Sequence, residues 1–295
     1  MEGTYTALVT PFHDDASQSI DWEALEALVD EQIAGQVAGL FPCGTTGECP
    51  TLSQEEQLDV VRSVVLRSQG RVQVFAGTGT NSTLHTIERC KDAERAGVHG
   101  LMVVCPYYSK PSQEGLLRHF LAVAGSVSSP IVIYNIPGRT GVDLLPETLE
   151  KICVRAENVV AVKEATGNVI RSQMLTRAFG DRLAVLSGDD ALTLPIVAVG
   201  GRGVISVASN LLPSEVSRAT SLALEGALAK ARRAHLALLP VFESMFLEPN
   251  PAPIKAALAM TGKMTDIVRA PLVAASETTR AAIRSALEQF RRGDA

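Results

Sequence analysis

Eight short apolar runs, each followed by a longer amphipathic segment, limit what this chain of 295 residues can fold into. The runs fall at 5–9, 39–43, 72–76, 100–104, 131–134, 159–163, 183–186 and 203–207. Helical patterns separate or follow them at 22–33, 55–66, 82–96, 115–123, 146–152, 169–178 and 191–199. Continuous rather than alternating apolar runs of this length read as strands covered on both faces. Strands that alternate with helices require a parallel sheet. Eight such units favour closure into an α/β TIM barrel, (β/α)8, over an open sheet. Ser53 and Glu56 have capping-box spacing, and Pro146 and Pro213 sit where helices should begin. After Pro213 the pattern is almost purely helical, at 215–225, 228–247, 253–260 and 276–290, with a break at Glu248-Pro249-Asn250-Pro251. The first of these helices is expected to complete the barrel. The chain then divides into a barrel at 1–225 and a C-terminal helical appendage at 226–295.

Composition narrows the functional classes. With 46% hydrophobic and 20% charged residues, a large core is available and disorder is not expected. The net charge of −5, with no basic run, argues against a nucleic-acid surface. An anionic substrate must then be held by a few placed groups. No apolar stretch reaches membrane-spanning length and no basic-apolar leader is visible, so a cytoplasmic protein is expected. The five cysteines, Cys43, Cys49, Cys90, Cys105 and Cys153, are scattered and odd in number, as reduced thiols would be. The histidines show no i, i+4 pairing, and no metal is expected.

Of the seven lysines, only Lys163 ends a buried apolar run. A free lysine titrates at roughly 10.4, so only about one molecule in a thousand carries a neutral amine at pH 7. Desolvation at a barrel mouth lowers that value and frees the lone pair for Schiff-base chemistry with a carbonyl. The plainer alternative is an amine paired with Glu164 or another acid.

Barrel active sites are built at the C-terminal ends of the strands. There this sequence carries Gly44-Thr45-Thr46-Gly47-Glu48, Gly77-Thr78-Gly79-Thr80-Asn81, Tyr107-Tyr108, Tyr134 with Arg139, Lys163, Ser187-Gly188-Asp189-Asp190 and Ser206. The threonine turn is either a tight strand-to-helix connection or a carboxylate cradle. Tyr134 is either a core phenol or a proton-transfer group. Arg139 is either a surface ion-pair partner or a bidentate carboxylate clamp.

These segments, together with Pro106-Tyr-Tyr-Ser-Lys-Pro-Ser-Gln-Glu-Gly-Leu116, Asp143–Thr148, Lys163-Glu-Ala-Thr-Gly-Asn168, Gly203-Val-Ile-Ser-Val207 and Glu248-Pro-Asn-Pro251, resemble the dihydrodipicolinate synthase family over nearly the whole chain. The resemblance implies a homotetramer, a dimer of dimers, that condenses pyruvate with L-aspartate 4-semialdehyde on the diaminopimelate route to lysine. Lys163 would form the Schiff base and no separate cofactor would be needed. Thr45 and Thr46 would hold the pyruvate carboxylate. Thr46, Tyr134 and Tyr108 would relay protons, with Tyr108 supplied by a neighbouring subunit. Arg139 would bind the semialdehyde carboxylate, and Gly188 and Ile205 would line the pocket. Related aldolases that cleave 2-keto-3-deoxy sugar acids are the alternative activity, and a catalytically silent pyruvate-binding relative is a third reading. The lysine-inhibition region keeps Asn81 and Tyr107 but has His85 where an acid is usual. Cys49, Pro50, Gln54 and Gln57 replace its other polar groups, so weak or absent inhibition by lysine is expected.

Overall fold

The computed structural model describes residues 1–293. Eight parallel strands, hydrogen-bonded in sequence order, close into a barrel. They are β1 Gly3–Ala7, β2 Gly39–Phe41, β3 Gln73–Gly77, β4 Gly100–Val104, β5 Ile131–Asn135, β6 Val159–Glu164, β7 Ala184–Ser187 and β8 Gly203–Ser206. The helices between and after them are α1 Trp22–Ala34, α2 Gln54–Ser68, α3 Thr83–Arg95, α4 Gln113–Ala124, α5 Pro137–Thr140, α6 Pro146–Arg155, α7 Val169–Phe179 and α8 Thr193–Ala198. Four more follow the last strand: α9 Pro213–Leu224, α10 Leu228–Ser244, α11 Ala252–Met260 and α12 Glu277–Arg292.

Strand alternation sorts the barrel into two cores. Tyr5, Phe41, Phe75, Met102, Val132, Tyr134, Ala161, Leu186 and Ile205 fill the interior as one cluster. Their chain neighbours, such as Ile131, Ile133, Val162 and Val185, pack outward against the helices in a second cluster. Because the side-chain period is two, the direction of any one residue on a strand fixes that of the rest.

Local chemistry sets the element boundaries. Ser53 accepts from the Glu56 N–H and Glu56 reaches back to the Ser53 N–H, the capping box expected from the sequence. The first strand ends earlier than its apolar run. Leu8 and Val9 are buried, but the Val9 N–H donates to Asn210 Oδ1 at 3.1 Å and so leaves the ladder. The one-turn helix α5 is missed by the sequence reading, since four residues show no period. Helix α9 is fixed to the barrel by a Thr4–Thr220 hydroxyl bond of 2.9 Å, and α10 packs along it. We propose the turn between α9 and α10 as the division between barrel and appendage.

Candidate active site

Lys163 and Tyr134 are cross-strand partners in the β5–β6 register. Partners in register project to the same side of the sheet, so both side chains enter the barrel mouth. Lys163 Nζ stands 4.3 Å from the centre of the Tyr134 ring. Both residues are buried. Glu164, one residue on, points the other way. Its carboxylate takes the Arg171 guanidinium at 3.0 Å and the Thr166 N–H at 2.9 Å in the helix layer. Strand alternation therefore rules out the plainer pairing of Lys163 with Glu164, and among the described residues Lys163 has no ion-pair partner.

Burial lowers the Lys163 pKa to about 8. The buried Asp190 carboxyl pulls it back upward and the Arg139 guanidinium pushes it further down. The same burial raises the Tyr134 phenol to about 12, against opposing pulls from the Arg139 charge and a Thr45 hydrogen bond. The pair thus holds an amine that deprotonates far more readily than a free lysine and a phenol that keeps its proton.

The wall beside Lys163 leaves no spare room. A Cβ on Gly188 would come within 2.7 Å of Ala165 Cβ and 3.2 Å of Lys163 Cε. The Gly188 N–H donates to the Glu164 carbonyl at 2.8 Å, which fixes that glycine against the lysine stem. Ile205 is fully buried on β8 among the interior residues. Asp190, which the sequence reading left without a role, is buried and accepts from Ser206 Oγ and from the Val207 and Ala208 N–H groups at 2.9 and 3.2 Å. Burial holds its carboxyl above the usual range.

The Gly44–Glu48 turn and Arg139 close the mouth. Thr45, Glu48, Val104, Tyr107, Ile136, Arg139 and Asn250 share the lining of a cleft of about 270 Å³. Arg139 sits on α5, lines the cleft and donates from an Nη to the Asn250 carbonyl at 3.5 Å. Glu48 takes a left-handed backbone, φ 54°, and its buried carboxylate pairs with the fully buried Lys255 of α11. The Arg269 N–H donates to the other Glu48 oxygen at 2.9 Å. A buried pair of this kind is costly unless each charge is further satisfied. Here Lys255 Nζ also donates to the Ile267 carbonyl at 2.8 Å.

The relay hydroxyl was expected from Thr46. Thr46 Oγ1 accepts from Asn250 Nδ2 at 2.9 Å, and the neighbouring Thr45 hydroxyl pulls the Tyr134 phenol pKa downward. Two adjacent hydroxyls in one turn are indistinguishable in sequence, because only the backbone path decides which faces the barrel axis. Tyr108, expected to enter the relay of a neighbouring subunit, is not among the residues lining this cleft in its own chain. It is 90% exposed and its φ is +74°, a left-handed conformation uncommon for an aromatic residue. Tyr107 lines the cleft, and burial raises the pKa of its phenol. His85 is exposed in the first turn of α3. Cys43 and Cys105 are buried thiols whose pKa values burial pushes up, Cys105 to about 12, so neither is a ready nucleophile.

Among the described residues no group of three or more His, Cys, Asp or Glu side chains could hold a metal ion, and no helix is long and apolar enough to cross a membrane. A closed (β/α)8 barrel that buries an unpaired amine beside a phenol at its C-terminal mouth fits the class of lyases that use lysine as a nucleophile. The sequence profile of the dihydrodipicolinate synthetase family matches residues 1–290, and the chain belongs to that family. The 4-hydroxy-tetrahydrodipicolinate synthase of Sorangium cellulosum is 59% identical over 290 residues, covering 98% of this chain and 96% of the relative. The solved structure of 4-hydroxy-tetrahydrodipicolinate synthase from Methylacidiphilum fumariolicum superposes with a TM-score of 0.97 at 45% identity, covering 99% of this chain and 97% of that one. Dihydrodipicolinate synthase from Aquifex aeolicus gives a TM-score of 0.96 at 41% identity, over 99% and 98% of the two chains.

Proposed function

We propose that the protein condenses pyruvate with L-aspartate 4-semialdehyde to give 4-hydroxy-tetrahydrodipicolinate and water, through a Schiff base on Lys163. The observation that carries this reading is the buried, unpaired Lys163 amine, with its lowered pKa, set 4.3 Å from the Tyr134 ring. The neutral amine adds to the pyruvate carbonyl carbon. Loss of water from the adduct needs a proton, and the Tyr134 phenol is protonated and adjacent. The resulting iminium acidifies the methyl group, and loss of one methyl proton gives an enamine without a metal or external electron sink. The enamine carbon attacks the aldehyde. The substrate's own amine then displaces Lys163 from the former keto carbon, which closes the ring and regenerates the free enzyme.

Thr45 serves as the next hydroxyl of the proton chain and Thr46 as a donor to the pyruvate carboxylate. Tyr108 suits a site in a neighbouring copy, since an exposed phenol held in a constrained backbone is pre-organised to insert elsewhere. A homotetramer acting in the cytoplasm agrees with this role. The exposed His85 offers a lysine ligand no fixed anion, which supports weak inhibition.

Arg139 separates this activity from sugar-acid cleavage. A guanidinium at the cleft suits a short aldehyde bearing a carboxylate better than a polyol. Turnover with aspartate semialdehyde is expected to exceed that with sugar aldehydes by at least about 10²-fold in kcat/KM, the scale of one charge-assisted contact kept or lost. Equal or greater kcat/KM with a sugar aldehyde would assign the aldolase activity instead.

The pH dependence carries its own sign. The ammonium form of Lys163 cannot attack, and its pKa is lowered to about 8. The rate of Schiff-base formation with pyruvate is therefore expected to rise with pH and level off above about 8. A pH-independent rate between 6 and 9, measured by borohydride quench, would mean that the amine is not the titrating nucleophile.

A further inference from the structure

The Glu248-Pro-Asn-Pro251 segment reaches the barrel mouth from the appendage, more than two hundred residues away in sequence from the threonine turn. Asn250 is buried, at 5% exposure. Its Nδ2 donates to Thr46 Oγ1 at 2.9 Å, and its backbone carbonyl accepts from an Arg139 Nη at 3.5 Å. One residue thus contacts both groups assigned to substrate carboxylates.

A threonine hydroxyl has one hydrogen to give and two lone pairs to fill. When an amide N–H occupies one lone pair, the hydroxyl keeps its hydrogen free and its rotamer fixed. Without that donor, Thr46 would be free to spend its hydrogen on a neighbouring carbonyl. The rest of the turn is already anchored from the same direction by the Lys255–Glu48 pair and the Arg269 N–H. Asn250 Oδ1 is buried and has no hydrogen-bond partner among the described residues. An amide held in place at the expense of an unsatisfied acceptor is retained for the contacts its other atoms make.

Resting on the reading of Thr46 as a carboxylate donor, we propose that Asn250 is a positioning residue for pyruvate binding. Its side-chain amide aims the Thr46 hydroxyl at the substrate carboxylate, while its backbone carbonyl steadies Arg139.

The two contacts come from different parts of the residue, and this separates their effects. Asn250→Ala removes the amide and keeps the carbonyl. The pyruvate concentration that half-saturates borohydride trapping on Lys163 is expected to rise about tenfold, the usual scale of one lost hydrogen bond to a charged ligand. The KM for the aldehyde should stay within about twofold, since the Arg139 contact remains. In a Thr46→Val background the same change should add little, because the two act through one contact. Should the alanine variant fold poorly, the isosteric Asn250→Asp keeps the shape and removes the donor, and is expected to weaken pyruvate binding at least as much. An unchanged half-saturation in a variant that folds, with wild type trapping normally, overturns the proposal. So do additive losses in the Thr46→Val background, or a parallel rise of both KM values. Failure of the wild-type protein to trap pyruvate would instead defeat the Schiff-base reading itself.

Discussion

Lys163→Ala is expected to abolish the pyruvate adduct and to lower the rate by roughly 10³-fold or more, the scale seen when a covalent nucleophile is removed. The more informative expectation concerns stability. An amine whose pKa falls from 10.5 to about 8 on folding disfavours the folded state near neutral pH. At about 1.4 kcal/mol per unit, this comes to about 3 kcal/mol. Its aliphatic stem works in the opposite sense. Burying three further methylenes stabilises by about 2–3 kcal/mol at roughly 0.8 kcal/mol each. The two terms nearly cancel, so the alanine variant is expected to melt within a few degrees of wild type. A structural lysine in an ion pair would behave differently, because its loss would strand a buried carboxylate at a cost of roughly 3–5 kcal/mol. Thermal melting combined with mass analysis after borohydride reduction tests both halves. A borohydride-stable pyruvate adduct on the variant would move the nucleophile elsewhere, and a large fall in melting temperature would restore the structural reading.

Much of this arrangement was legible in the residues, for reasons that are themselves physical. The barrel follows from eight strand-helix units because a parallel crossover must carry a helix, and the run at 159–163 stands out because few lysines end continuous apolar strands. The direction of Glu164 was also readable in principle. Strand period two sends it to the face opposite Lys163, which leaves Arg171 as its partner. What could not be read depends on backbone path or on distance along the chain. Thr45 and Thr46 differ only in which way one tight turn rotates them. Asn250 has no signal beyond its place in a proline-flanked break, and its partner Thr46 lies 204 positions away. The Lys255–Glu48 pair is hidden likewise, because α11 reads as an ordinary apolar helix until its lysine is found fully buried. Asp190 was visible as one of two adjacent acids, but only the fold shows that its carboxylate ties the end of β8 and raises the charge preference of Lys163.

Tyr134→Phe isolates the proton from the ring. The substitution removes one oxygen and keeps the aromatic face 4.3 Å from Lys163 Nζ, so packing and amine position should survive. The lost function is then a proton donor at the step where the adduct expels water. Its pKa, raised to about 12, keeps the phenol protonated throughout the working range. On the proposed relay it can therefore deliver a proton at once and recover it through Thr45, and it does not serve as a resting base. General acid–base groups contribute roughly 10² to 10⁴-fold, and a loss near the lower end is expected because water at the mouth can substitute in part. The loss should appear in kcat and in the rate of adduct formation, with the pyruvate half-saturation nearly unchanged, since the proposed carboxylate contacts lie in the threonine turn. The plateau of the pH profile should fall while its midpoint near 8, which belongs to Lys163, moves little. A variant that turns over as fast as wild type would remove Tyr134 from the relay. A variant with wild-type kcat and a raised pyruvate KM would make the phenol a binding group, and the proton path would then have to begin at another hydroxyl of the mouth.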